Sequence, residues 1–309
     1  MAVDVYRGTS GIQLPVEVSA EIWQKIQDAS VVMGLARRVP LSGAGVTYQE
    51  ILEDPTPQFV GETDRKPVSN PTFAKKTLKG HKIAVVSTYS DEFRRDLPGL
   101  FNALVSRLPG ALARTFDMAA LHGVGAPAAD FDDLSGATTA SILNTTAGSV
   151  DAYAGFLAAL GAVPTLNAWA LSAQAEVAAL SNRDVNGGAI LNPNVLTNGS
   201  IGSILGRPVF RSGNAYLAGV PDSAATTGTD EGVAATLGIA GDWSKAVWGQ
   251  VEGVSIDISD NPVYDADGAL ITAGWQDNMI AVRAEIHVGF IADDSQFVRL
   301  LGAEPDPAG

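Results

Sequence analysis

The 309 residues carry 34 acidic against 20 basic side chains, a net charge of −14, with no cysteine and three histidines scattered at His81, His122 and His287. Disulfides, thiol catalysis and thiolate metal sites are excluded, a zinc enzyme or a Ser/His hydrolase is disfavoured, and the charge argues against nucleic-acid binding. A chain of this length is expected to build two or three subdomains, since single cores stop growing near 250 to 300 residues, roughly.

Residues 1–43 open with polar, Gly-containing sequence and no apolar h-region, so no signal peptide is expected and the product stays in the cytoplasm. Within this arm Val18 to Met33 offers one short helix, with an apolar patch at Val18, Ile22, Trp23 and Ile26. From Val46 to Val86 β-branched and aromatic residues are punctuated by Pro55, Pro57, Gly61, Pro67, Pro71 and Gly80, the pattern of a long hairpin. Two strands alone are marginal in water, and this segment has too few large apolar residues for a core of its own. It must lie on something. Its tip and return carry Arg65, Lys66, Lys75, Lys76, Lys79 and Lys82, which read either as a lysine-protected edge or as a docking surface.

Between Thr88 and Gly123 the apolar residues Leu97, Leu100, Phe101, Leu104, Val105, Leu108, Leu112 and Phe116 recur in steps of three and four, one face of a long helix. Asp96 is placed to cap it, Pro98 falls in its first turn, and His122-Gly123 supplies a cation and a stop. Pro109 lies mid-helix and removes the bond to the Val105 carbonyl, so a bend or a break into two helices is expected there.

After a Gly/Ala/Asp-rich loop over 124–148, Ser149 caps a helix to Leu160, a strand follows at Ala168 to Leu171, and Ser172 caps a second helix through Leu180. Residues 152–175 carry no charge, but Pro164, Asn167 and the abundance of Ala and Gly weaken them below a membrane span. Strands are expected at Arg207 to Phe210, Thr236 to Ala240, Lys245 to Val251, Val254 to Ile258, Met279 to Val288 and Phe297 to Leu301. Pro221 to Gly232 has the composition of an exposed loop, and 302–309 of a loose tail. Asp265 to Gly268 begins like a calcium loop but lacks its later ligands, so a turn between strands is expected. Gly238 to Asp242 reads as a glycine-bearing turn, and no phosphate-cradle, nucleophile-elbow or zinc motif occurs. No catalytic, cofactor or metal residue is nominated.

The charge is unevenly placed: residues 1–123 hold 14 basic and 13 acidic side chains, and residues 124–309 hold 6 and 21. The first part is thus near neutral at net +1 and the second acidic at net −15, and the two are electrostatically complementary.

Three patches together resemble a tailed-bacteriophage major capsid protein of the HK97 fold: Phe59 to Asp96, Gly241 to Ser259 and Asp277 to Leu300. The first is similar to the family's aromatic-Val-x-Glu entry, Phe-led return strand and Ser-x-Glu start of a spine helix. The second is similar to its Gly-Asp-aromatic-Ser turn and paired strands, and the third to its closing strands around Arg-Ala-Glu. The resemblance implies an α+β fold with an N-terminal arm over 1–43, an extended E-loop hairpin over 44–87 and the spine helix and first part of a peripheral domain over 88–148. An axial domain over 149–243, a return to the peripheral sheet over 244–301 and the tail complete it. The implied role is structural rather than enzymatic: copies assemble as hexamers and pentamers into an icosahedral head enclosing double-stranded DNA. An encapsulin-like compartment shell is the alternative.

The resemblance further implies that the E-loop lies on a neighbouring subunit, which makes Arg65, Lys66, Lys75, Lys76 and Lys79 intersubunit candidates and Leu97, Phe101, Leu104, Leu108, Leu112 and Phe116 the spine core. The arm begins almost at once, so a cleaved helical segment or a separate scaffolding protein is expected. The resemblance also implies portal and decoration proteins as partners. No membrane is involved, and the enclosed DNA is held without sequence-specific contacts.

Overall fold

The computed structural model describes residues 16–43, 45–51, 58–61, 65–66, 68, 73–92, 97–127, 130–143, 152–181, 202–220 and 233–302; for 16–22, 49–51, 73–74, 97–106 and 252 it describes the backbone alone. The chain begins with α1 (Val16–Ala29), α2 (Val31–Leu35) and β1 (Arg37–Pro40). Expected as an arm, this stretch is built into the main core. Ile26 and Val32 are fully buried, the Trp23 ring lies 6.3 Å from Trp248, and β1 runs parallel to β10 (Val247–Ser259). An amphipathic helix needs a surface for its apolar stripe, and here that surface is the chain's own sheet and long helix.

The hairpin forms from β2 (Val46–Ile51) and β3 (Phe73–Leu78), with Val46 opposite Leu78 and Ile51 opposite Phe73. It ends earlier than the expected Val86. From His81 the chain becomes β4 (His81–Ser90), which pairs antiparallel with β13 (Met279–Ile291) over its whole length. Ile83, Val85 and Tyr89 of β4 pack on the core while Lys82 and Val86 face out, so the alternation read as hairpin belongs to a half-buried body strand.

The long helix, α3 (Leu97–His122), spans 26 residues, about 39 Å at 1.5 Å each. It passes through Pro109 as a single element, so the division into two helices does not occur. It stops where expected: Gly123 is left-handed (φ 69°), and the N–H groups of Gly123 and Val124 donate to the Ala119 and Met118 carbonyls. Leu108, Leu112 and Phe116 are buried against the four-stranded sheet β1-β10-β13-β4, where the Phe116 ring meets Phe131 and Phe290 nearly edge-on at 6.3 Å. The expected Asp96 cap lies outside the described residues, as do the side chains of Leu97, Phe101 and Leu104. β10, expected as two strands, is one strand of 13 residues whose register shifts around Glu252; the Gly253 region is a bulge rather than a turn.

A second, six-stranded sheet has the order β5-β14-β9-β6-β8-β7. Its strands are β5 (Thr138–Ser141), β6 (Ala168–Leu171), β7 (Ser203–Ile204), β8 (Arg207–Arg211), β9 (Thr236–Gly241) and β14 (Phe297–Leu301). The helices α4 (Ala152–Ala162) and α5 (Ala173–Ser181) accompany it, and the Ser172 hydroxyl accepts from Ala175 N as an N-cap should. Two features differ from expectation. β14, assigned to the peripheral sheet, pairs with β9 here because Phe297, Val298 and Leu300 are all buried and need cover on both faces. The glycines of 238–241 form no turn: they lie in β9, where a Cβ on Gly241 would collide with the Phe297 ring.

A small hairpin of β11 (Val263–Tyr264) and β12 (Leu270–Thr272) leaves the far end of the β10–β13 ladder. The expected turn at Asp265 is present, its carboxylate accepting from Asp267 N at 3.0 Å and Ala269 N at 2.7 Å.

Candidate assembly surface

The root of the β2–β3 hairpin is fixed to its own body. Leu41, Leu78, Val247 and Ile291 form a small buried cluster, with Val46, Tyr48 and Val251 packed against it. The return passes so close to β13 that a Cβ at Gly289 would strike the Lys79 carbonyl, which leaves glycine as the residue that fits there. Lys76 Nζ donates to Asp132 Oδ2 at 2.9 Å and to the Ala292 carbonyl at 2.8 Å. Lys79 Nζ lies 2.9 Å from Asp130, and its hydrogen bond holds that carboxyl below the usual range. Lys82 reaches Glu285 at 3.1 Å.

The basic run of the sequence therefore divides. Lys76, Lys79 and Lys82 meet acids of their own subunit, while Arg65, Lys66 and Lys75 are exposed and form no ion pair among the described residues. Toward the tip, Phe59 is 110% exposed and Val68 86%.

A junction that the seam pattern did not reveal lies on α3. Asp117, one residue beyond Phe116, is fully buried. Its carboxylate accepts from the Ser30 hydroxyl (2.5 Å), Val31 N (3.1 Å), Val32 N (3.4 Å) and Asn214 Nδ2 (2.8 Å). It thereby caps α2 and binds the turn after β8 to the long helix. Burial raises its pKa, against the opposing effect of these donors. Five residues on, buried His122 contacts the Asn214 carbonyl through Nε2 at 3.1 Å, so Nε2 carries the proton, and Nδ1 is buried with no hydrogen-bond partner among the described residues. Burial depresses its pKa, and Arg299 adds to that. The available signal was a carboxylate in helical step with Ala113, Ala120 and Leu121, all buried.

Among the described residues no cluster of three metal-ligating side chains occurs, and no helix is long and apolar enough to cross a membrane. Residues 10–300 match the phage capsid family, and the chain belongs to it. It is 28% identical over 297 residues to the probable major capsid protein gp17 of Mycobacterium phage D29, covering 92% of this chain and 88% of the relative. With the same-named protein of Mycobacterium phage L5 it shares 25% over 312 residues, 94% of this chain and 90% of that one.

The fold matches a solved structure from Mycobacterium phage Ogopogo with a TM-score of 0.68 at 22% identity, covering 89% of this chain and 92% of that one. It also matches the capsid of an empty GTA particle computed with C5 symmetry, at TM-score 0.61 and 15% identity, over 89% of this chain and 90% of that one. The fold is thus the mixed helix-and-sheet, HK97-like capsid fold, and the role is that of a structural capsid protein rather than an encapsulin-like compartment shell.

Proposed function

We propose that the chain is the repeating shell subunit of a tailed-phage head, assembling as hexamers and pentamers into an icosahedral shell around double-stranded DNA. It has no catalytic duty and assembles in the cytoplasm of a bacterial host. A scaffolding protein, a portal and decoration proteins would act with it, and the genome is enclosed without sequence-specific contact. The E-loop hairpin lies on a neighbouring copy.

The observation that carries this reading is the hairpin itself. Its root is packed and ion-paired to its own body, whereas Phe59, Arg65, Lys66, Val68 and Lys75 face outward. Lys76 and Lys79 anchor the hairpin within the subunit, so the intersubunit role falls to Arg65, Lys66 and Lys75. Charge at such an interface supplies specificity and encounter rate more than affinity, and it is screened within about 8 Å at physiological salt.

The test is the triple reversal Arg65→Glu, Lys66→Glu and Lys75→Glu. The subunit should keep its circular dichroism and melting temperature, while particles vanish from sucrose gradients and electron micrographs at low salt and partly return at high salt. Normal particles at low salt would refute the electrostatic role of the hairpin.

A further inference from the structure

A cavity of about 170 Å³ lies between the root of the β2–β3 hairpin and the body of the same chain. Tyr48 and Lys76, opposite one another in the hairpin, line it from one side. Val247 and Ile291, opposite one another in the β10–β13 ladder, line it from the other, and Ser244 and Lys245 stand at its edge. Val247 and Ile291 also belong to the buried cluster that fixes the hairpin root, so the cavity has an apolar floor.

Two polar groups of the lining are uncommitted. The Tyr48 hydroxyl is buried yet has no hydrogen-bond partner among the described residues. A hydroxyl withdrawn from water without a partner is costly, and such groups are uncommon in folded chains. Lys245 is exposed and forms no ion pair among the described residues. Arg37, equally exposed and unpaired among them, stands beside Val247 in the β1–β10 pairing, on the strand face from which Val39 packs against the same cluster. The other charged groups of the lining are engaged. Lys76 Nζ donates to Asp132 and to the Ala292 carbonyl, and Asp293 Oδ1 accepts from Ser295 N at 3.2 Å and from its hydroxyl at 2.7 Å.

One water could satisfy the hydroxyl, but a water needs only about 10 to 15 Å³ of such space. Most of the cavity would then hold solvent against Val247, Ile291 and the Tyr48 ring. An apolar group placed there removes that surface from water, while an anion beside it meets a hydroxyl donor and two cations. A neutral apolar molecule would leave the hydroxyl unpaired, and a cation would meet repulsion.

We propose that this cavity is a binding site for a small carboxylic acid with an aromatic or branched apolar arm. The carboxylate accepts from the Tyr48 hydroxyl and from Lys245 Nζ, Arg37 adds its field, and the arm lies on Val247 and Ile291. Tyr48 belongs to the hairpin and Lys245 to the body, so a bound acid ties one to the other. An acid bound only by the folded chain stabilises it by mass action.

Para-fluorobenzoate, followed by fluorine NMR against the unassembled full chain, is the probe. It should titrate with a Kd on the order of 1 mM, as its few heavy atoms allow, and para-fluorobenzyl alcohol, which lacks the charge, should bind roughly tenfold more weakly or worse. Tyr48→Phe and Lys245→Gln should each weaken the benzoate roughly tenfold. Without probe, Tyr48→Phe should keep the parent's melting temperature, because the hydroxyl it removes bonds nothing among the described residues. With probe, the parent's melting temperature should rise by more than that of either variant. Absence of titration, or an affinity that neither substitution changes, would overturn the proposal. Assembled particles should take up the probe as well; their exclusion of it would also overturn the proposal, since a neighbouring copy would then cover the cavity.

Discussion

Replacing Asp117 by alanine probes the junction on which three parts of the chain meet. The substitution removes the acceptor of four hydrogen bonds and leaves Val31 N, Val32 N and Asn214 Nδ2 facing a space that water reaches poorly. A buried donor left unsatisfied costs about 1 to 3 kcal/mol, and loss of a helix cap about 0.5 to 2. Two effects reduce the total: the Ser30 hydroxyl still accepts from Met33 N, and alanine no longer buries a carboxyl. The expected net loss is about 3 to 5 kcal/mol, a large part of the roughly 5 to 15 that holds a domain folded. Asp117→Asn keeps the shape and one acceptor and should lose about 1 to 2. Urea unfolding of the unassembled subunit, followed by the fluorescence of Trp23, Trp243 and Trp248, reads both. Because the native pKa is raised, the native state binds the extra proton in the interval above 3.8, so this group's stabilisation is complete below that interval and is lost as pH rises through it. The advantage of the parent over Asp117→Asn should therefore shrink with rising pH in that window. An alanine variant within about 0.5 kcal/mol of the parent, the size of an ordinary surface change, would show that the carboxylate organises nothing.

Phe116→Ala empties the space between Phe131 and Phe290 and should cost about 3 to 5 kcal/mol, seen as loss of soluble subunit; a melting temperature within a degree or two of the parent would contradict the packing described for the long helix. His122 has the opposite sign from Asp117. Its depressed native pKa means the unfolded chain binds more protons, so its contribution is whole above about pH 6.5 and declines as pH falls toward the native value. His122→Gln should flatten that part of a stability-against-pH curve, and a curve of unchanged slope would count against it.

The elements of this chain were largely legible because their apolar spacing is strict. The seam at Leu108, Leu112 and Phe116, the stop at Gly123 and the Ser172 cap are local features, each set by helix geometry and backbone hydrogen bonding within a few residues. The need of the β2–β3 hairpin for a support was likewise deducible, since its composition could not supply a core. Which partner each element would find was a different matter. That Phe297 to Leu301 joins β9, that β4 leaves the hairpin for β13, and that the first helices enter the core depend on surfaces brought together from 60 to 240 residues away. Alternation of apolar residues says that a strand has a buried face, and is silent about which sheet covers it. The basic run shows the same division. Composition marked Arg65 to Lys82 as positive, but only the approach of Asp130 and Asp132 in space separated Lys76 and Lys79, which tie the hairpin to its own body, from Arg65, Lys66 and Lys75, which are exposed and meet no acid among the described residues. Asp117 marks the limit of sequence reading most sharply, because a carboxylate among apolar helix residues is costly until Ser30, the first turn of α2 and Asn214 converge on it, and that convergence is a property of the tertiary structure alone.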